Sequence, residues 1–311
     1  MSIKGKILGA ALDLTKNENM QNKTANLLGM LFPYVGIRKE AVDCYISEIE
    51  KSDLSPESKA FAIYNTKKTF KKFKNQQDIV QIALENAKEG TDFSENSKVN
   101  EEWFNRFMES AGYVSDDDIK LIWGKILAKE YEEPGSTPFN MTRILSEITP
   151  RYAEVFKNIC SMRRITVVVD DEGKEIVSRD DVVVPFENNS GFFGKVGIYF
   201  NSLCELETLG LIKFDSFAGY TESDLPKGHI LTYVNGVTKE IKGEKDNIPC
   251  GNVMLTSSGN CLKNIIEQEK INNYEDIESN YMKEQRIDYI ENSNFLIKVD
   301  GENYYIEKID K

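Results

Sequence analysis

Three consecutive aspartates, Asp116–Asp118, stand before an apolar run that contains Trp123. Clustered carboxylates are the ligands that hard divalent cations prefer. A metal site, however, needs ligands that converge from several directions, and adjacent side chains on a helix point apart. Acidic side chains in a first helical turn stabilise the helix by about 0.3–1 kcal/mol each, and Ser115 stands where a capping residue is expected. The sequence therefore predicts the start of a buried helix capped by Ser115, and no metal site.

A second group of candidate functional residues is a run of lysines that could bind anionic ligands. The segment KKTFKKFK holds five lysines, Lys67, Lys68, Lys71, Lys72 and Lys74. Such a patch could contact the phosphates of a nucleic acid or of an anionic membrane surface. Phe70 and Phe73 are too few to form a base-stacking surface. The alternative is a solvated helix face whose two aromatic side chains turn inward, and both interpretations remain open.

The content of histidine and cysteine excludes several classes of enzyme. His229 is the one histidine of the chain, so zinc sites built on several histidines and HExxH metalloproteases are excluded. His229 opens a predicted strand and is interpreted as a surface or edge residue. The five cysteines have no CxxC spacing, which favours a reduced cytosolic protein with buried thiols.

No other segment matches a catalytic or cofactor-binding motif. The glycine-bearing segment 188–197 fits neither the phosphate loop nor the dinucleotide fingerprint, and we expect its phenylalanines, Phe192 and Phe193, to pack. Ser257, Cys160 and Cys204 show no sign of activation. We therefore predict no catalytic residue, no cofactor and no small-molecule substrate, and an enzyme is the disfavoured alternative.

The N-terminal region contains an apolar segment with five candidate contacts for a membrane or a partner: Leu27, Leu28, Met30, Leu31 and Phe32. The segment is shorter than the 18–20 apolar residues that cross a bilayer and is interrupted by Pro33. The N-terminus lacks the pattern of a cleaved signal peptide. A net charge of −12 argues against a general nucleic-acid coat protein. The chain is predicted to be cytoplasmic.

The periodicity of apolar residues predicts an α+β fold that is mainly helical. Residues 1–95 form a predicted N-terminal helical region, and residues 96–163 form a helical bundle with a core stripe around Trp103 and Trp123. Strand and turn signals dominate residues 164–270, where Asn235-Gly236 predicts a type I′ hairpin. The order helix, strand, hairpin, strand, helix predicts a winged-helix-like domain. Residues 271–311 are predicted to form a helix and a β-hairpin.

The central segment resembles an uncharacterised bacterial domain-of-unknown-function family related to abortive-infection alpha (Abi-alpha) proteins. The resemblance is carried by the pair Trp103-Phe104, the segment Val114–Asp117, Trp123 within WGKILAKE, and Pro134–Ser136. It covers about residues 75–268, and FNSLCELETLGLI and LTSSGNCL match the C-terminal part of the family. The resemblance implies a bacterial cytosolic setting and a role in phage defence, and it supplies no catalytic residues.

Three hypotheses about function follow. The first is a non-enzymatic protein-interaction component, with a protein partner or self-association into a homo-oligomer, in anti-phage defence. The second is a nucleic-acid-binding regulator that uses the winged-helix-like domain and the lysines of residues 67–74. Glu205 and Glu207 on its predicted recognition helix suit a phosphate-lined groove poorly. The third is a membrane-acting effector that inserts the N-terminal apolar helices.

Overall fold

The computed structural model describes residues 39–93, 98–187, 191–300 and 303–309. The chain divides into two compact units, with the boundary between Glu147 and Ile148. The fold is mixed α/β, with several small antiparallel sheets. The predicted segment boundary at 95/96 lies inside the first unit, and those at 163/164 and 270/271 lie inside the second. The four-part division therefore stays a prediction.

The described part of the first unit is helical. Its elements are α1 (Lys39–Lys51), α2 (Pro56–Asn86), α3 (Glu101–Ala111), α4 (Asp117–Glu132) and α5 (Met141–Glu147). The ends follow local chemistry: the Ser55 side chain accepts from the backbone N–H of Ser58, and Pro56 occupies the first helical position. The helix α3 ends at Gly112, which is its C-cap residue.

The core of this unit forms where α2, α3 and α4 pack together. Trp103 stacks on Phe107 at 4.9 Å between ring centroids, and Phe107 lies 4.7 Å from Trp123. The predicted core stripe is confirmed, since all three rings are buried. Gly124 allows α4 to approach α2 closely: a Cβ there would lie 2.3 Å from Cγ2 of Ile82.

The aspartate run begins α4, as predicted, but the predicted capping residue is wrong. Asp116 is the N-cap, and its Oδ1 accepts from the backbone N–H groups of Asp118 and Ile119, each at 3.1 Å. Ser115 lies one residue too early for this role. Asp117 and Asp118 occupy the first turn, where their charge opposes the positive end of the helix dipole.

The second unit combines short helices and strands. The helices are α6 (Pro150–Cys160), α7 (Gly191–Lys195), α8 (Phe200–Leu209), α9 (Ser257–Lys263) and α10 (Tyr274–Glu284). The strands are β1 (Arg164–Val169), β2 (Glu175–Asp181), β3 (Val183–Val184), β4 (Ile212–Phe214), β5 (Tyr220–Glu222), β6 (His229–Val234), β7 (Val237–Glu240), β8 (Ile248–Gly251), β9 (Val253–Leu255), β10 (Phe295–Asp300) and β11 (Asn303–Lys308). The helix α6, predicted to belong to the helical bundle, is part of this unit and packs on α8.

All strand pairs in the described residues are antiparallel. The orders are β2-β1-β6-β7, β3-β9-β4, β5-β8 and β10-β11. The predicted hairpin at Asn235-Gly236 is confirmed, since both residues have positive φ, 54° and 94°, as a type I′ turn requires. The two-residue strand β3 follows the β1–β2 hairpin in sequence but does not join it: it pairs with β9 in a different sheet.

Strand β1 is the centre of the unit because it is buried on both faces. One face, with Val168, packs against a cluster that includes Met282 of α10. The other face, with Val167, packs against Phe295 and Ile297 of the C-terminal hairpin. The four-stranded sheet is therefore covered by α10 on one side and by β10–β11 on the other.

Candidate functional site

The lysines of KKTFKKFK lie on α2, and the structure separates them into two groups. Four are exposed and form no ion pair with any described residue: Lys67, Lys68, Lys71 and Lys74. Lys72 differs because its Nζ donates to Oε1 of Glu109 at 2.7 Å and lies 4.0 Å from the ring centroid of Tyr113. The hydrogen bond to Glu109 raises the pKa of Lys72. This lysine ties α2 to α3.

Two exposed aromatic residues extend this surface toward the start of α2. Phe61 is 69% exposed and Tyr64 is 61% exposed, and Nζ of Lys68 lies 5.9 Å from the Tyr64 ring centroid. Positions three and four apart share a side of a helix, so these rings lie beside the lysines. We call this surface the basic–aromatic face; it comprises Phe61, Tyr64, Lys67, Lys68, Lys71 and Lys74.

The two aromatic residues that sequence reasoning considered, Phe70 and Phe73, turn inward. Phe73 is buried and Phe70 is half-buried, which agrees with the alternative of a solvated lysine face. Phe61 and Tyr64 lie outside the lysine-rich run and were missed. Continuing the helical period back from Lys68 would have found them.

A groove of about 540 Å³ lies in the second unit. Its lining comes from residues within 185–187, 215–221, 249–252 and 277–285, together with Phe193. Among the described residues, three carboxylates line it, those of Glu187, Asp215 and Glu284, and no lysine, arginine or histidine does. Phe217, which is 100% exposed, stands at the same groove. We call this site the acidic groove.

The pKa values of three groups in the acidic groove, Asp215, Tyr220 and Tyr281, are shifted away from neutral pH. Oδ1 of Asp215 accepts from the backbone N–H groups of Ala218 and Phe217, each at 3.0 Å, and these hydrogen bonds lower the pKa of Asp215. Burial raises the pKa of Tyr220, and nearby acidic groups add to the effect. Burial also raises the pKa of Tyr281. The Asp215 carboxylate is therefore kept in its charged form, beside the neutral phenol rings of Tyr220 and Tyr281.

A buried ionic cluster lies behind the groove wall. Nη1 of Arg164 is 3.6 Å from Oε1 of Glu278, with side-chain exposures of 3% and 4%. The Tyr289 hydroxyl donates to Glu278 at 3.1 Å, and the Thr166 hydroxyl donates to Oε1 of Glu222 at 3.0 Å. Burial disfavours the charge of Arg164, but the carboxylates of Glu278 and Glu222 outweigh this and raise its pKa.

The acidic groove and the ionic cluster share their walls. On α10, Tyr281 and Glu284 line the groove, while Glu278 belongs to the cluster. In the β5–β8 sheet, Gly251 lines the groove, whereas the buried Sγ of Cys250 accepts from the backbone N–H of Glu222 at 3.2 Å. The ionic cluster therefore fixes the two elements that shape the groove.

The other candidate residues of the sequence, which are the acidic run, the cysteines and the segment 188–197, form no common site among the described residues. Among the described residues, no group of three or more His, Cys, Asp or Glu side chains could hold a metal ion. Burial raises the pKa of Cys250 to about 12 and also raises that of Cys160, so both thiols are protonated at neutral pH. As expected, Phe193 of the segment 188–197 is buried, and Phe192 stacks on Tyr274.

His229 begins β6, as predicted, and bridges two carboxylates. Its Nδ1 lies 2.7 Å from Oε1 of Glu240, and its Nε2 lies 3.1 Å from Oδ1 of Asp171. The ring also packs on Phe295 at 5.0 Å between centroids. Burial opposes protonation, but the hydrogen bonds to Glu240 and Asp171 outweigh it and raise the pKa of His229. None of its atoms lines the acidic groove.

The apolar N-terminal candidates, Leu27, Leu28, Met30, Leu31 and Phe32, lie outside the described residues. Within the described residues, no helix combines the length and the apolar character that a membrane span requires. The membrane contact suggested by the sequence therefore stays a prediction.

Comparison with known proteins gave one match. A family model described as "Protein of unknown function (DUF2806)" matches residues 64–278, a range that runs from α2 to α10. No curated protein and no solved structure matches the chain significantly. The matched range includes most of the basic–aromatic face, most of the acidic groove and the pair Arg164–Glu278.

Proposed function

We propose that this chain, which belongs to the DUF2806 family of proteins of unknown function, is a non-enzymatic protein-interaction component that binds its partner in the acidic groove. The observation that carries the proposal is the composition of this groove. In the part of the chain that the structure describes, its lining combines three carboxylates with a fully exposed phenylalanine and holds no basic side chain. A concave site with a few placed polar groups is the usual form of a binding site.

The chemistry of the groove favours binding over catalysis. A general acid or base works best with a pKa near the operating pH. The pKa of Asp215 is lowered, and those of Tyr220 and Tyr281 are raised, so these groups are moved away from that range. A nucleophilic thiol needs a lowered pKa, and burial raises that of Cys250.

The groove selects the partner by charge and by apolar surface. Glu187 and Glu284 are exposed and attract lysine or arginine side chains. Tyr220 and Tyr281 offer ring surfaces on which a cation or an aromatic side chain packs, and Phe217 adds an exposed apolar contact. The partner is therefore a protein segment that combines basic and aromatic side chains.

The biological setting of the proposal rests on the sequence resemblance. The residues that resemble a family related to Abi-alpha proteins motivate the proposal of a bacterial cytoplasmic protein in anti-phage defence, whereas the matching family model carries no function. The winged-helix-like interpretation of residues 164–270 is supported by α8 directly before β4, by α9 directly after β9 and by the pairing of these two strands in the sheet β3-β9-β4. The β6–β7 hairpin, which this interpretation takes as the wing, pairs with β1 in another sheet. Glu205 and Glu207 are exposed on α8, which favours a protein-contact role for this module over DNA binding.

Selection from a random peptide library displayed on phage tests the groove. The purified protein is the bait, and a variant with Glu187→Gln and Glu284→Gln is the counter-bait. We expect enriched peptides that carry lysine or arginine next to aromatic residues and that bind the variant at least about tenfold more weakly. Enriched peptides without a positive charge, or with equal affinity for both baits, would contradict the proposal.

The defence role is tested separately by challenging cells with diverse phages. Strains carry the wild-type gene, the Glu187→Gln/Glu284→Gln variant, or no gene. The proposal expects reduced plaquing with the wild type and recovered plaquing with the groove variant. Equal plaquing in all three strains, without growth arrest, would remove the defence role and leave the binding function to be judged by the peptide selection.

A further inference from the structure

We infer that the partner of the acidic groove is a second copy of this chain, which docks through the basic–aromatic face of α2. This inference rests on the proposed function and names the partner. The face combines lysines with exposed aromatic rings on one side of a helix. These are the two kinds of side chain that the groove is built to receive.

Charge is the first element of the match. Lys67, Lys68 and Lys71 are exposed and form no ion pair with a described residue. The groove carboxylates Glu187 and Glu284 likewise face no basic side chain within the groove lining. Two copies, each with a net charge of −12, repel each other at a distance. The attraction is therefore local and acts within the Debye length of about 8 Å at physiological ionic strength.

Apolar contact is the second element. Phe61 and Tyr64 expose most of their surface to solvent, and burying them in a partner removes that surface from water. The groove offers the rings of Tyr220 and Tyr281 and the exposed Phe217. The helix is taken to lie across this groove of about 540 Å³ and to insert its aromatic and basic side chains into it.

The contact joins two different surfaces, the basic–aromatic face and the acidic groove, and this determines its symmetry. A helix face of one copy meets a groove of another, so the interface is heterologous. After a single contact, the copy that used its face keeps its groove, and the copy that used its groove keeps its face. The remaining face and groove either meet each other, which closes a two-fold dimer, or bind further copies in a ring or an open chain. In each case the average molar mass rises with protein concentration.

Two reciprocal variants test the inference. Variant A carries Lys67→Glu, Lys68→Glu and Lys71→Glu, and variant B carries Glu187→Lys and Glu284→Lys. Asp215 is left intact because its carboxylate holds the turn at Phe217 and Ala218. Molar mass is measured by light scattering and sedimentation velocity over a range of concentrations, and circular dichroism checks that each variant is folded.

The wild type is expected to associate with rising concentration, and its apparent Kd rises by about tenfold or more between 50 and 500 mM NaCl because exposed charges are screened. Variants A and B alone stay monomeric. An equimolar mixture associates again, because the acidic groove of A meets the basic face of B, and the reversed charges on the face of A and in the groove of B are also opposite.

A matched control carries Lys39→Glu, Lys51→Glu and Lys98→Glu, which change the net charge as variant A does at exposed positions elsewhere in the first unit. It associates like the wild type. Equal loss of association in this control and in variant A would show a general charge effect and overturn the inference. If A or B unfolds, the corresponding glutamine variants replace it.

Three further outcomes overturn the inference. One is a wild type that stays monomeric at all concentrations, and another is a mixture of A and B that stays monomeric. In the third, the wild type stays monomeric and binds a labelled oligothymidylate, whereas variant A does not bind it. The basic–aromatic face would then be a nucleic-acid-binding surface. If the selected basic peptides bind the groove while the chain stays monomeric, the proposed binding function holds and the inference that the partner is a second copy is refuted. If neither peptides nor a second copy bind, the proposed function fails with it.

Discussion

Removing the buried ion pair between Arg164 and Glu278 is expected to cost the second unit much of its stability. The two groups are 3.6 Å apart and almost fully buried. At an effective dielectric constant of 20, two unit charges at this distance attract by roughly 4–5 kcal/mol. The change Arg164→Met keeps apolar volume but leaves the carboxylates of Glu278 and Glu222 without their cation. We expect a loss of about 3–5 kcal/mol in the free energy of unfolding.

The reverse change is expected to cost less, because the cluster holds two carboxylates and one guanidinium group. In Glu278→Gln, Arg164 retains the attraction of Glu222, which also contributes to its raised pKa. A loss of about 1–3 kcal/mol follows. The double variant should lose less than the sum of the two single variants, by about 2 kcal/mol, because each single change already removes the shared interaction.

The assay must report on the second unit alone. Both tryptophans, Trp103 and Trp123, lie in the first unit, so their fluorescence does not report directly on this change. Cys160, Cys250 and Cys261 are buried free thiols of the second unit. Their labelling during short exposures to increasing urea, read by mass spectrometry, gives the unfolding curve. An Arg164→Met loss below about 1 kcal/mol, or a strictly additive double variant, would refute a mutually stabilising buried pair.

Three further predictions concern local features. Gly124→Ala should destabilise the first unit by about 1–2 kcal/mol in urea unfolding followed by tryptophan fluorescence, since the strain of packing against α2 exceeds the helical gain of alanine; no loss would show that α2 moves away easily. Asp116→Ala should cost about 1 kcal/mol while Ser115→Ala costs almost nothing, and equal losses would contradict the assignment of the cap. The pKa of His229 is raised in the folded state by its hydrogen bonds to Glu240 and Asp171. This pairing stabilises the fold fully at pH values below the pKa of the unfolded state, about 6.5. The stabilisation is lost as the pH rises through the pKa of the folded state. Urea midpoints at pH 5.5 and 8.5 should therefore show a drop that His229→Gln reduces, and an unchanged drop in that variant would exclude the pairing with Glu240 as its cause.

Features encoded by residues close in sequence could be predicted. The start of α2 depends on Ser55 and Pro56, and the β6–β7 turn depends on Asn235-Gly236, so neither needs knowledge of the rest of the fold. The cap of α4 was misplaced by one residue because Ser115 and Asp116 are both good caps, and the pattern Ser-x-x-acid favoured the first. Backbone geometry, which the sequence does not display, decides between them.

Features that depend on distant segments could not be predicted. The groove gathers four stretches of chain, and its carboxylates Glu187, Asp215 and Glu284 are indistinguishable in sequence from ordinary surface acids. The ion pair of Arg164 could not be predicted, because its partner Glu278 follows 114 positions later in the sequence. The pairing of β3 with β9 was missed for the same reason, since no local signal specifies which sheet a two-residue strand joins.

The shared wall between the acidic groove and the ionic cluster limits how the site can evolve and adapt. A partner that pushed α10 or the β5–β8 sheet aside would have to separate charges that are shielded from water. Adjustment to a new partner is therefore confined to side chains that point into the groove and to the turn that carries Phe217. Recognition at this site depends on a preformed shape, and a change of specificity requires substitution at the rim, because the supporting framework resists rearrangement.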